Sequence, residues 1–545
     1  MIRSLRLLAH TGLLAGASLL QGVGLPTLAH AQEHDTIVIA IPALPQGIDP
    51  DHDISPQTWT MGAQVFDQGL EWAKVPYPYD DDTPKEFSPN QIPGFQYPNF
   101  KEQKIAPGII ESCDLSEDSK TATYNIRKGV KSAWGNEFDA DDILWRIDRA
   151  MANKALDYFM NTLANTNDIG KWSKIDQYTV QIKSDTPIPI ACTMLTNFYF
   201  PFYDSDEIKK HVTADDPWGD KWISTNGGGY GAYYVASWEP GRRVVMKANE
   251  NYWQGVPKIK TIIWLIVPEA SSRVALLTQG KVQIAENLAP DDLQSLVGNP
   301  NAIPIGVRSN QWIFAVMNNK IAPFDNPKVR QAINMLIPRD DIVKGVFHGL
   351  ARSWSGIMPT IFPGAAPLTP FDYNVEEAKK LLADSGVDLS KPLTLSFSAN
   401  DGVQENVAIL IQRSLQQAGL KVELRKLPIA AQADLVMSRK GDFSLWVDMA
   451  IQPDPSYDIG LMYGTGGATN YANYSNPDVD AVLEKGRVLV GEERIKAHEA
   501  VQTTVQQDAP YGWITEQFFT LGVAKSLKGL NWFTCQYYKV NQLEY

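Results

Sequence analysis

Cysteine is scarce in this sequence: three residues in 545, at Cys113, Cys192 and Cys535. They lie far apart and follow no metal-ligand spacing. That excludes a disulfide-dense scaffold or a zinc ribbon and leaves room for one disulfide, with at least one thiol left over. Histidine is scarce as well. Beyond residue 31 only His34, His52, His211, His348 and His498 occur, and none sits in a His-Glu-x-x-His frame. No Gly-x-Ser-x-Gly elbow and no Gly-Lys-Ser/Thr phosphate loop is present. Positive charge is in deficit, with 49 Lys and Arg against 62 Asp and Glu and a net charge of −13. That balance argues against nucleic acid or an anionic membrane as a partner. After the first 31 residues no run is long and apolar enough to span a bilayer.

What is present is an ordinary globular composition, 44% hydrophobic and 20% charged, in a chain long enough for two to four domains. The first 31 residues stand apart. Arg3 and Arg6 supply a basic start, Leu13 to Leu25 an apolar core, and Pro26 with Ala29-His30-Ala31 a cleavage site. This is the pattern of a secretory signal peptide cut after Ala31. Losing Arg3 and Arg6 moves the net charge from −13 to −15. No cysteine follows the cut, so no lipid anchor is expected there. The mature protein is expected in solution outside the cytoplasm, in a bacterial periplasm.

Glycine and Pro-Gly punctuation organises the stretch from Gly227 to Leu288. A glycine turn feeds a short aromatic strand. Trp238 to Gly241 makes a hairpin into a second strand, Val244 to Ala248. Asn249-x-x-Tyr252-Trp253 leads to a third strand, Ile262 to Val267, then to a helix from Ala270 to Gln279 stopped by Gly280. The order Gly-x-Gly-x-Tyr, Asn-x-x-Tyr-Trp-x-Gly-x-Pro, Arg and Ala-Leu-Leu-x-x-Gly resembles the central signature of extracytoplasmic solute-binding proteins of the dipeptide, oligopeptide and nickel ABC-importer family (bacterial family 5). Gly227 to Gly231 lacks the lysine and spacing of a phosphate or dinucleotide loop and reads as a flexible turn.

Thr36 to Ile41 alternates as a β-branched strand and runs into Pro42 to Pro50 (PALPQGIDP). Ligands of open α/β sheets sit at the carboxyl ends of strands. This loop therefore has a cleft reading, with Gln46 as its hydrogen-bonding group, beside a plain reading as a proline-rich turn. Tyr77 to Asn99 shows little periodicity and is expected to cover a domain surface. Its Asp80-Asp81-Asp82 lacks the Gly and distal Glu of a calcium loop and reads as a solvated charge run. Thr121 to Arg127 is a strand, and Asp139 caps a helix from Ala140 to Ala150 with Asp142 in its first turn. This run also resembles the family. There the aromatic matching Trp145 faces the cleft in oligopeptide binders; the other reading packs Trp145 in the core.

A second α/β region starts near Pro300. Asn326 with Pro327, and Asn374 with Glu377, mark helix starts. Strand Leu393 to Ser398, helix Val403 to Ala418, strand Leu420 to Leu424, a further helix and strand Phe443 to Val447 predict a parallel sheet with right-handed crossovers. The last strand ends at Asp448 to Pro455 (DMAIQPDP), which the strand-end rule places in a crevice. This segment resembles the family's Trp-x-x-Asp followed by Asp-Pro. Met449 falls at the Trp, and Gln452 at the Asp that receives the α-amine in peptide binders. Gln452 carries no charge for an ammonium. The departure shifts the expected solute toward a neutral or differently charged one: an oligosaccharide, an opine-like conjugate or a modified peptide. Asp448, four positions earlier, is the alternative acid. Asp454 reads as an Asp-Pro turn or as a ligand contact. Asn470 in NYANYSNP is a cleft candidate, whereas Asp480 belongs to the first turn of the next helix. Trp513 and Trp354 each either face the ligand or pack in the hinge region.

The resemblance implies an α/β, two-lobed periplasmic-binding-protein fold, type II and cluster C-like, with an extra inserted domain. Residues 32–75, 193–300 and 515–545 would form lobe 1, residues 76–192 the inserted domain beside it, and residues 301–514 lobe 2. It also implies a monomer without cofactor or metal, which captures a peptide or similar small organic solute and delivers it to an ABC permease in the inner membrane. The alternative is a secreted glycan or peptide hydrolase, supported by secretion and abundant carboxylates; turnover separates the two.

Overall fold

Two long strands, Ala302–Met317 and Tyr511–Ala524, carry the architecture. They run antiparallel from the pair Ala302 and Ala524 to the pair Val316 and Tyr511. In the first of them only Gln311 is not buried, the pattern of a strand covered on both faces. The computed structural model describes residues 35–53, 55–78, 83–100, 102–354, 356–399, 401–534 and 536–545. The leader, His34, Asp80-Asp81-Asp82 and Cys535 lie outside these residues.

On one side the long pair continues into Ile284–Ala285, Thr36–Ile41, Thr261–Ile266, Arg243–Ala248 and Tyr233–Glu239. On the other it continues into Phe443–Met449, Leu393–Ser398 and Val422–Leu427, and with Ala351–Ser353 the sheet has 11 strands. Thr36–Ile41 is parallel to both of its neighbours, and so is Leu393–Ser398. The second half thus keeps the expected parallel pairing, and the first half has a parallel centre as well. The whole sheet is mixed, because Phe443–Met449 runs antiparallel to Ala302–Met317. That pairing also corrects the expected strand end at Val447. Asp448 and Met449 pair with Trp312 and Gln311, so the long neighbour holds both inside the strand rather than in a loop.

The ladder between the two long strands breaks between Arg308 and Gln311. Ser309 Oγ donates to the Gln517 carbonyl at 2.6 Å, and the Asn310 side chain donates to the Ala450 carbonyl and accepts from Gln536 Nε2. This irregularity falls in the two strands that both halves of the sheet share. The Tyr77–Asn99 segment reaches this point, which corrects its expected surface role. Tyr77, Phe87, Phe95 and Tyr97 are core residues, and the Tyr77 and Tyr97 hydroxyls take the Arg308 N–H and C=O at 2.9 and 3.0 Å. Loop-like composition hid an aromatic lining.

Beside the large sheet stands a four-stranded antiparallel sheet, Ile110–Leu115, Thr121–Ile126, Thr179–Lys183 and Trp172–Asp176. Helix Ala140–Asn153 packs its Ile143 and Ile147 into the same core as Tyr124 and Phe138, and Asp139 and Asp142 form its capping box. Cys113 and Cys192 form a disulfide that ties the first of these strands to the segment entering the turn Thr193–Thr196. The glycines that open the central signature do more than turn. A Cβ on Gly229 would lie 2.4 Å from the Val65 carbonyl oxygen, and one on Gly231 2.5 Å from the Val65 carbonyl carbon. The chain passes here against the end of helix Pro56–Val65 at a distance open only to glycine.

Candidate functional site

A cavity of about 820 Å3 lies between the two halves of the sheet. Pro42 and Asn287 line it from one half, and Ser398, Gln404, Gln432 and Trp446 from the other. Pro42 follows strand Thr36–Ile41, Asn287 follows Ile284–Ala285, and Ser398 ends its own strand. The carboxyl ends of parallel strands from both halves therefore meet across one void, as the strand-end rule expects. Its lining mixes apolar side chains, among them Leu288, Val403, Ile429 and Trp446, with polar ones, and Arg273, Asp291 and Asp401 bring charge to it. Arg273 reaches it, yet its guanidinium is tied to the carbonyls of Val267, Pro268, Glu286 and Asn287.

Deeper in, one row of side chains crosses three strands. Asp448, Trp312 and Glu516 are direct cross-strand partners and share a face. Trp312 lies 5.0 Å from Trp354, ring to ring. Asp448 accepts from the Tyr471 hydroxyl at 3.0 Å and from the Met449 N–H at 2.8 Å. Burial nevertheless pushes its carboxyl up to about 6. Asp458, in helix Pro455–Tyr463, is raised well above the carboxylate range by burial and by the negative charges of Asp454 and Asp448, and its Oδ2 is buried without a partner. For Asp448 the sign of the pH effect follows from the direction. The folded protein binds this proton more readily than the unfolded chain, so Asp448 lowers stability progressively as pH rises from near 4 through about 6. Asp448→Asn is expected to gain stability relative to the parent across that window. Thermal melts at pH 4 and pH 7.5 check it; an equal difference at both values would exclude a titrating Asp448.

The remaining sequence candidates are placed as follows. Gln46 is exposed, and its backbone N–H bonds Asp53 at 2.8 Å. Trp145 is half-buried, edge-on to Tyr203 and Trp218 at 5.9 and 5.7 Å. Trp354 is buried, with its indole N–H on the Met358 carbonyl. Trp513 is buried too, and its indole N–H reaches the Tyr463 hydroxyl at 3.3 Å. Met449 packs against the core of the small sheet. Gln452 is wholly buried and meets Asn197, a residue 255 positions away. Asp454 is gripped by both terminal nitrogens of Arg494 at 2.6 and 2.7 Å. The Asn470 amide closes its own loop, donating to the Gly464 and Tyr474 carbonyls and accepting from the Tyr474 N–H. Thus Trp354, Asp448, Met449, Gln452 and Trp513 lie in or beside the shared strands, while Gln46 lies on the loop after Thr36–Ile41 and Trp145 on helix Ala140–Asn153. Sequence reasoning passed over Asn197, Trp312 and Tyr471. Only Tyr471 had a local signal, its place in the NYANY run.

The described residues include one geometric metal candidate, Asp49, His52 and Asp220, whose ligand atoms lie within 4.8 Å of one another. Arg149 already occupies it. Its guanidinium bonds Asp49 and Asp220 and comes within 3.5 Å of Asp51. The cluster is an ion-pair hub between the loop after Thr36–Ile41 and helix Ala140–Asn153.

Among the described residues no helix is long and apolar enough to cross a membrane. The pattern of the bacterial extracellular solute-binding proteins, family 5, matches residues 104–470. The glutathione-binding protein GsiB of Escherichia coli is 27% identical over 443 residues, covering 79% of this chain and 84% of its own length. The structure of DppA from Helicobacter pylori in complex with the peptide STSA superimposes with a TM-score of 0.76 at 19% identity, over 93% of this chain and 98% of that one. NikZ from Campylobacter jejuni in complex with Ni(L-His) gives 0.74 at 19% identity, over 94% and 100%. These structures share the two-lobed fold. With more than half of its length inside the family's pattern, the chain belongs to the bacterial extracellular solute-binding proteins, family 5.

Proposed function

We propose that this protein is the solute-binding component of an ABC importer. It holds a peptide or similar small organic solute between two lobes that close about the Arg308–Gln311 break, and it passes that solute unchanged to a permease in the inner membrane. The observation that carries the reading is the void of about 820 Å3 lined from both halves of the sheet at strand carboxyl ends. Lobe 1 would comprise residues 32–75, 193–300 and 515–545, the inserted domain residues 76–192, and lobe 2 residues 301–514. The protein works as a monomer in the periplasm after cleavage behind Ala31. Relatives are named for glutathione, solved with the peptide STSA or solved with Ni(L-His). Peptide-like solutes fit this chain better than a metal complex, since its five histidines beyond residue 31 are scattered and the one metal-like cluster among the described residues is filled by Arg149.

Native mass spectrometry of the mature protein, purified gently from its own periplasm, tests this. A discrete added mass, released intact on denaturation, is expected. A ligand at a hundred times its dissociation constant adds about 2.7 kcal/mol to stability, so re-adding the released compound should raise the melting temperature. Conversion of that compound by the protein would replace transport with a hydrolase.

A further inference from the structure

Strands Leu393–Ser398 and Phe443–Met449 pair only at Leu395 with Phe443 and at Ser396 with Ser444, so their ladder stops short of both carboxyl ends. Two glutamine amides take up backbone groups left open there. Gln432, in helix Ile429–Met437, donates its Nε2 to the Leu445 carbonyl at 2.9 Å and to the Ser396 carbonyl at 3.4 Å. Gln404, in the first turn of helix Gly402–Gln417, accepts the Ser398 N–H on its Oε1 at 3.1 Å. A carbonyl only accepts and an N–H only donates, so neither amide has a workable flip. Both residues line the void of about 820 Å3. What each holds in reserve is therefore fixed. Gln404 keeps an Nε2 donor with no bond among the described residues. Gln432 keeps an Oε1 acceptor; the residue is 1% exposed, and this oxygen is buried without a partner. Buried side-chain polar atoms are paired in the great majority of cases, and an unpaired one is costly. The charges around the two amides are already engaged. Arg273 is tied to four carbonyls, Asp401 Oδ1 takes the Val403 and Gln404 N–H groups at the helix start, and Asp291 lies 2.6 Å from His348 Nε2.

We infer that Gln404 and Gln432 together read an uncharged carboxamide end of the solute: its carbonyl accepts from Gln404 Nε2, and its N–H donates to Gln432 Oε1. A carboxylate would set oxygen against the Gln432 oxygen, and an ammonium would set donor against the Gln404 donor. Neither charge would find an unengaged counter-charge in the wall. The class that follows is a peptide-like compound whose end in this void is an amide rather than a free acid or amine. This rests on the solute-binding reading above and narrows it.

Three mixtures of N-acetylated dipeptides, differing only in whether the far end is a carboxylate, a carboxamide or an aminomethyl group, are titrated against the mature protein by thermal shift and native mass spectrometry. The carboxamide mixture is expected to bind about tenfold more tightly than either charged one, the scale of one hydrogen bond plus the relief of an unpaired acceptor. Gln404→Glu keeps an acceptor for the Ser398 N–H and turns the outward donor into a charged acceptor. In that variant the aminomethyl mixture should overtake the carboxamide. A merely structural Gln404 would weaken all three mixtures alike and keep their order. A charged mixture that binds the parent as tightly as the carboxamide, binding of none of the three, or an unchanged order in Gln404→Glu overturns the inference. Failure of the solute-binding reading looks different: the periplasm-derived protein carries no added mass.

Discussion

Replacing Arg149 with methionine is expected to destabilise the protein by about 3–5 kcal/mol at neutral pH. The guanidinium is almost fully buried and stands among Asp49, Asp51 and Asp220, with its face 4.8 Å from the Tyr203 ring centre. Its removal leaves Asp49 and Asp51, both nearly inaccessible, without their cation. Burial already holds the Asp51 carboxyl above its ordinary range, with Arg149 the main influence pulling it down. In the variant Asp51 would take up a proton more readily, so the penalty should shrink as pH falls toward 4. Arg149→Lys restores the charge but not the fork that reaches three carboxylates, and should recover only part of the loss. Urea unfolding followed by tryptophan fluorescence at pH 7.5 and pH 4.5 measures both effects. A loss below about 1 kcal/mol at pH 7.5 would mean that the hub contributes nothing beyond an exposed ion pair.

The second large effect belongs to the disulfide. Cys113 and Cys192 are 79 residues apart, and closing a loop of that length removes about 4.5 kcal/mol of unfolded-state entropy in the chain-entropy model. The double variant Cys113→Ala, Cys192→Ala is expected to lose about 2–4.5 kcal/mol, the lower figure allowing for residual structure in the unfolded chain. The bond also anchors the segment that carries Asn197. The reduced protein should therefore lose part of the contact between the small domain and Gln452 before it unfolds globally. Hydrogen exchange at Thr193 to Tyr199 against that at Ile143 and Ile147 resolves the order. Equal exchange rates in the oxidised and reduced proteins would separate the disulfide from the clasp.

Local pattern carried much of the fold. Leu393–Ser398 and Thr36–Ile41 appear with the bounds their alternation implies, and the Asp139 and Asn374 caps are formed as composition predicts. What sequence could not show is which remote backbone passes by. Gly229 and Gly231 read as a flexible turn because nothing in their spacing reveals Val65. Asp448 and Met449 read as loop because their strand partners, Trp312 and Gln311, lie far upstream in the sequence. Asp454 read as an Asp-Pro turn or a ligand contact, and its bond to Arg494 depends on a helix 40 residues on. Asn197 has no local signal at all, and only its contact with Gln452 gives it meaning. Pairings of this kind are set by topology, which spacing does not encode.

The strand Tyr511–Ala524 sits between Ile284–Ala285 and Ala302–Met317, and residues beyond it return to the first strand and helix. The Tyr545 hydroxyl bonds the Thr36 carbonyl at 2.6 Å, the Val540 N–H bonds Gln64 at 2.8 Å, and Lys539 bonds Asp67 at 2.9 Å. Chains emerge from synthesis with the amino-terminal side first. The earliest-made half therefore lacks a central strand until almost everything else has been made. A partial chain that stops short of Tyr511 is therefore expected to leave the first half of the sheet incomplete. Such an order of synthesis would keep the chain threadable until its last segment arrives, which would suit the export proposed above.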